Sequence, residues 1–173
     1  GLQETCAALS ASDDVRAIVL ECDSPGGMVL GTAGAGDAIA GLAAQKPVHA
    51  LVHPLAASAA YWLASQATEV VVTPGSELGS IGVAVLTGWY VQPGTSGMQM
   101  HEIVSSHALA KRPDPTSEGG RAEIQRRLDE LEAAFHAAVA RGRNIDARAL
   151  TSQLSVTDEP RYGGAMFSGA EGV

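Results

Sequence analysis

The sequence predicts an α/β fold with a mostly parallel sheet and flanking helices. Three observations carry that prediction. Short apolar runs at residues 17–20, 48–52 and 70–72 have the length and composition of strands covered on both faces. Between them lie stretches of helical length, and dense turn chemistry at Asp23-Ser24-Pro25-Gly26-Gly27 and Pro74-Gly75 separates the two kinds. Strand and helix therefore alternate, the order a parallel sheet requires.

The first helix is read from Leu2, Cys6 and Leu9, which share one face, and Asp13-Asp14 breaks it. Residues 17–20 give the first strand and residues 31–44, mostly Gly and Ala with Ile39 and Leu42, the second helix. A strand at 48–52 starts after Pro47. Beyond Pro54 the pattern turns to small residues with Tyr61, Trp62 and Leu63, which suits a helix, so Ser58 falls where a strand gives way to a helix. Residues 70–72 form a third strand, 81–86 a fourth opened by Gly79-Ser80, and 100–104 a fifth after a Pro/Gly-rich connection at 89–97. Residues 106–115, holding Pro113 and Pro115, are a loop. Thr116-Ser117-Glu118 starts the longest helix, lined by Ile124, Leu128, Leu131, Phe135 and Val139 and ended by Gly142; residues 146–154 form another short one.

At 173 residues the chain is expected to be a single domain, residues 1–173. Residues 1–6 begin a helical pattern with no cap before it and residues 169–173 lead to no strand partner, so both ends read as cut from a longer chain. A formal charge of -8 argues against nucleic acid or an anionic membrane as partner. Cys6 and Cys22 are too few for a disulfide scaffold, which favours a reducing compartment. No run reaches the roughly 20 apolar residues of a membrane span, and no signal-peptide pattern is seen.

Ser58 at a strand-to-helix turn has a hydroxyl fixed by the backbone, beside N–H groups at the helix start; alternatively it only caps the helix. The two glycines of residues 23–27 free the backbone to aim N–H groups at a ligand oxygen, or merely make a turn. Gly79-Ser80-Ile81-Gly82 reads as another close backbone approach, or as a plain turn into a strand. Lys111, in a polar loop, is ordinarily a solvated charge; Ser58, however, needs a base, and a desolvated lysine gives up its proton more readily. His49 and His53 lie on a strand that sets them roughly 13 Å apart, too far to share a metal. Cys22 reads as a buried structural thiol rather than a nucleophile, and Arg141, Arg143 and Arg148 as a solvated helix end.

In this order, Asp23-Ser24-Pro25-Gly26-Gly27, Ser58-Ala59-Ala60-Tyr61-Trp62-Leu63-Ala64-Ser65 and Gly79-Ser80-Ile81-Gly82-Val83 resemble the signal peptide peptidase family. These are serine–lysine peptidases, also called protease IV or S49, of the ClpP/crotonase-like fold. The resemblance spans nearly all of the chain, from the first helix through the long helix at 121–143 to Tyr162-Gly163-Gly164. It implies Ser58 as nucleophile and Lys111 as general base. It further implies amides of Gly26 or Gly27 and of Ala59 as the oxyanion hole, with Gly79, Ser80 and Gly82 on the substrate side. Relatives carry a Ser-Gly-X-X-Lys-like stretch, whereas here Lys111 comes slightly later, after Ser105-Ser106; Lys46 lies at the wrong end of its strand. A peptide or protein substrate, a homo-oligomeric ring sharing its sites between subunits, and no metal or cofactor are expected.

The Ala-Ala-Tyr-Trp form and Lys111-Arg112-Pro113-Asp114-Pro115 are closest to phage or prophage head-maturation proteases. That implies capsid or scaffold cleavage in the cytoplasm or prohead. The rival within the family is a signal peptide peptidase degrading membrane peptides, held at a membrane if an anchor lies outside this sequence. A ClpP-type site would need a histidine base, and of His101, His107 and His136 only His107 lies in a suitable loop. Of other classes, a crotonase-like acyl-CoA enzyme would use Glu21 or Asp23, and a non-catalytic ring would need none of these residues.

Overall fold

The apolar runs fold into the expected sheet, with bounds that reach further than hydrophobicity alone indicates. The structure, a computed structural model, describes residues 1–86, 101, 103–157, 159, 161 and 163–169. They divide into a first unit, Gly1–Gly82 with Glu132–Val173, and a second, Val83–Leu131.

In the first unit, helix α1 (Leu2–Ala11) precedes β1 (Ile18–Ser24), α2 (Thr32–Ala43), β2 (Val48–Ala57), α3 (Ala59–Ala64), β3 (Glu69–Val72) and β4 (Glu77–Gly79). β1, β3 and β4 all pair parallel to β2. A short β5 (Met166–Ser168) joins β4 antiparallel, Leu78 facing Phe167.

β2 runs to Ala57, through the Pro54 that reads as its end. Its neighbours explain why. β3 pairs with His49 to Val52 and β4 with Leu55 to Ala57, while the register with β1 shifts between Cys22 and Ser24. Pro54 falls at the changeover, where no ladder needs its missing N–H. β1 likewise takes in Asp23 and Ser24, leaving the turn to the residues after them.

The fourth strand is Glu77–Gly79 rather than 81–86. Gly79 and Ser80 both have positive φ, 129° and 54°, which ends the ladder there. Ile81 is buried, but Val85 and Leu86 are exposed, so that apolar run covers no core in this chain. Of the expected strand at 100–104, Met100 and Glu102 lie outside the described residues, and His101, Ile103 and Val104 have no regular structure. The connection at 89–97 lies outside them as well.

Buried Val48, Ala50, Val52 and Ala56 of β2 form the centre of the core. Helix α4 (Glu118–Arg143) closes it with its C-terminal part, where Phe135 stacks on Trp62 at a centroid separation of 4.7 Å. The buried Gln66 amide donates to the carbonyl of Ala138 at 3.1 Å. Gly142 does not end α4. A Cβ there would stand 2.3 Å from the Ser65 carbonyl oxygen, so the glycine lets the helix approach. Asn144, at φ 53°, makes the stop, and Asp146 caps α5 (Ala147–Gln153) by accepting from the Arg148 amide at 2.9 Å.

The second unit contains the loop expected at 106–115, with one 3-10 turn at Leu109–Lys111. Asp114 accepts from the Thr116 amide at 2.7 Å, and Ser117 Oγ from the Gly120 amide at 3.0 Å, which starts α4.

Candidate active site

Ser58 is the single residue between β2 and α3, with φ 52° and ψ -123°. A non-glycine residue held in so sparse a region costs about 1–3 kcal/mol and persists only where neighbours enforce it. They do. The Ser58 amide donates to the Gly79 carbonyl at 2.9 Å, and the Ser58 carbonyl accepts from the Trp62 amide at 3.0 Å. The side chain does not cap α3, so the capping alternative fails. Half-buried, the hydroxyl makes no hydrogen bond among the described residues.

The glycine turn presses against this serine. Gly26 has φ 105°, and a Cβ on it would lie 2.7 Å from Ser58 Cβ, 2.9 Å from the Ala57 carbonyl oxygen and 3.1 Å from the Ala59 nitrogen. The two candidate amides here are not equivalent. Gly26 N–H donates to Ser24 Oγ at 3.2 Å, whereas Gly27 N–H and Ala59 N–H have no hydrogen-bond acceptor among the described residues. Ser24, Ala57 and Gly79 end neighbouring parallel strands, so these groups share the carboxyl edge of the sheet, where α/β folds gather ligands.

Gly79 supports that edge from the other side. A Cβ on it would meet the Ala165 carbonyl oxygen at 2.5 Å, and the Ser80 amide donates to the same oxygen at 2.9 Å. Ser80 is half-buried at the end of β4. At Gly82 a Cβ would stand 3.4 Å from the Glu132 carboxylate.

Lys111 belongs to the second unit and is exposed. Lys46 caps α1 through the carbonyls of Leu9 and Ser12, at the opposite edge of the sheet. His49 Nδ1 lies 3.0 Å from Glu69 and His53 Nδ1 2.9 Å from Thr73 across the β2–β3 pair. Cys22 is buried, and desolvation, helped by the charge of Glu21, pushes its thiol up to about 11, so it stays protonated at neutral pH.

One feature escaped the sequence reading. Arg143 is not part of a solvated helix end: it is half-buried and lines a cavity with Tyr61 and Gly79. Arg141, two residues before it, is exposed and pairs with Asp37 at 3.4 Å. Burial raises the Tyr61 phenol above its ordinary value, opposed by the nearby Arg143 charge. Nothing in the sequence marks which arginine of the pair faces inward; only the packing of α4 on α3 decides it.

Comparison with known proteins now bears on this geometry. The profile of "Peptidase family S49" matches residues 40–156, more than half of the chain. The chain is 32% identical over 172 residues to "Head-tail preconnector protein GP5" of Enterobacteria phage P21, covering 94% of this chain and 31% of that protein. It is 35% identical over 130 residues to "Capsid assembly protease C" of Escherichia phage lambda, covering 73% of this chain and 30% of that protein. The chain thus spans about a third of the length of these curated relatives. With its parallel sheet and flanking helices in the ClpP-like arrangement, the chain belongs to peptidase family S49, in the phage head-protease-like branch.

Proposed function

We propose that this chain hydrolyses peptide bonds with Ser58 as nucleophile and Lys111 as general base, and that its substrates are proteins of the assembling phage head. The observation that carries the reading is the strained Ser58 turn, with an unengaged hydroxyl beside two unengaged amides. Ser58 Oγ attacks the scissile carbonyl carbon and its proton passes to the neutral Lys111 amine. The resulting oxyanion takes hydrogen bonds from Gly27 and Ala59; the Gly26 amide, already given to Ser24, holds the turn. Loss of one such donor costs about 10²–10³ in rate in other enzymes. As the intermediate collapses, Lys111 returns the proton to the leaving amine, and water repeats the sequence on the acyl-enzyme. Ser80 is assigned to steady the lysine amine, and Gly79 and Gly82 to border the substrate.

A lysine acts as base only when it is desolvated, and Lys111 is exposed in a single chain. The cover is assigned to a neighbouring subunit of a ring. Ile103 and Leu109, apolar and exposed in the same unit as Lys111, support that assignment. The names of the phage relatives support the choice of a head protein as substrate and of the prohead as location.

The test is labelling with a fluorophosphonate followed by mass spectrometry, on the assembled protein with casein as general substrate. A single adduct on Ser58 and no hydrolysis by Ser58→Ala are expected. Undiminished hydrolysis by Ser58→Ala overturns the nucleophile, and undiminished hydrolysis by Lys111→Ala overturns the base.

A further inference from the structure

Beside Gly79, whose carbonyl fixes the Ser58 amide, the first unit holds a cavity of about 440 Å³, within the range of small-ligand sites. Ile81, Leu154 and Phe167 give it apolar walls, and Tyr61, Arg143 and Gln153 are its polar lining. Tyr61 is one turn of α3 beyond Ser58, so the cavity adjoins the reacting hydroxyl.

The polar lining is one-sided. Arg143 is half-buried and makes no ion pair or hydrogen bond among the described residues. Tyr61 is 7% exposed, and its hydroxyl likewise has no hydrogen-bond partner among them. No Asp or Glu lines the cavity among the described residues. Guanidinium, phenol and carboxamide are all donors, and the first is a charge partly removed from water with nothing opposite it. A cation would be repelled here, and a purely apolar group would leave the guanidinium desolvated and unpaired. An anion that accepts in two directions satisfies it, and carboxylate–arginine pairs are the strongest of that kind.

We infer that this cavity is a substrate subsite for a carboxylate on a short apolar stem, supplied by an acidic side chain or by the terminal carboxylate of a cleaved peptide. Its role as a subsite rests on Ser58 being the nucleophile; its affinity for carboxylates does not.

The test measures binding, which needs no turnover. Three probes are titrated into the assembled, unsubstituted protein: N-acetyl-leucyl-glutamate amide, N-acetyl-leucyl-leucine and N-acetyl-leucyl-leucinamide. They carry a side-chain carboxylate, a terminal carboxylate and no charge. At least one carboxylate is expected to bind about tenfold or more tightly than the neutral amide, and the tighter of the two identifies the source. That preference is expected to vanish in Arg143→Gln and to shrink in Tyr61→Phe, which keeps the buried ring. Equal affinity for all three probes, binding of none, or an undiminished preference in folded Arg143→Gln overturns the inference. If Arg143→Gln does not fold, an undiminished preference in Tyr61→Phe or a missing preference in the unsubstituted protein does so instead. A protein that prefers carboxylates yet takes no label at Ser58 loses the peptidase reading and keeps the site. One that labels at Ser58 without that preference loses only the subsite.

Discussion

At Gly26 a single hydrogen atom decides whether the serine turn can form. A methyl group there meets Ser58 Cβ at 2.7 Å and the Ala57 carbonyl oxygen at 2.9 Å, on a backbone at φ 105° that L-residues avoid. Gly26→Ala is therefore expected to destabilise the chain by about 1–3 kcal/mol in urea unfolding. Activity is expected to fall more than stability, because the adjacent Gly27 donor is displaced with it. Cys22 gives a second expectation. Its thiol is raised from 9.0 to about 11, so the folded chain keeps a proton that the unfolded chain releases. Stability on this account is intact below pH 9 and declines as the pH rises from 9 towards 11, and native Cys22 reacts slowly with iodoacetamide at pH 8 while the urea-unfolded chain reacts quickly. Ser58 was legible because a hydroxyl between a strand and small helical residues leaves a pattern. That Ser24 occupies the Gly26 amide left none, since a hydrogen bond two residues long depends on dihedral angles that composition does not fix.

Helices α3 and α4 hold the serine turn from behind. Phe135, 2% exposed and stacked on Trp62, is the largest contributor to that contact, so Phe135→Ala is expected to cost about 3–5 kcal/mol in urea unfolding. Gly142→Ala tests the same contact with a reversed sign. In an ordinary helix alanine is favoured over glycine by about 1 kcal/mol, but a Cβ here lies 2.3 Å from the Ser65 carbonyl oxygen, so the change is expected to lower the thermal midpoint. The long apolar stripe of α4 was plain in the sequence, although Leu131 is 40% exposed and only the part from Phe135 onward is buried. The strands were legible where they are apolar and lost where they are not. Ser76-Glu77-Leu78-Gly79 offers one apolar side chain, and Pro54 reads as a stop until the exchange of neighbours along β2 is known.

For the assembled protein, the exposure of Lys111 sets the decisive experiment. If serine and lysine come from different subunits, mixing Ser58→Ala with Lys111→Ala protein and allowing exchange restores about a quarter of full activity, since each site draws its two residues at random from a symmetric ring. Mixtures as inactive as either variant alone would instead assign both residues to one chain. None of this was readable from residue order: whether an amine is covered depends on surfaces that meet only after folding. The α/β class and the parallel order, by contrast, follow from alternation along the chain, which is a local property.

The pairing of β5 with β4 bears on where the working unit ends. The stretch that matches the family profile stops at Val156, yet Ala165 supplies the carbonyl that receives the Ser80 amide, and Met166–Ser168 shield the far side of Glu77–Gly79. A protein trimmed to the matched region would expose that margin as an unzipped border, one strand away from the serine. It would be expected to lose its grip on the nucleophile and turn sticky, even with every residue assigned to the chemistry still in place.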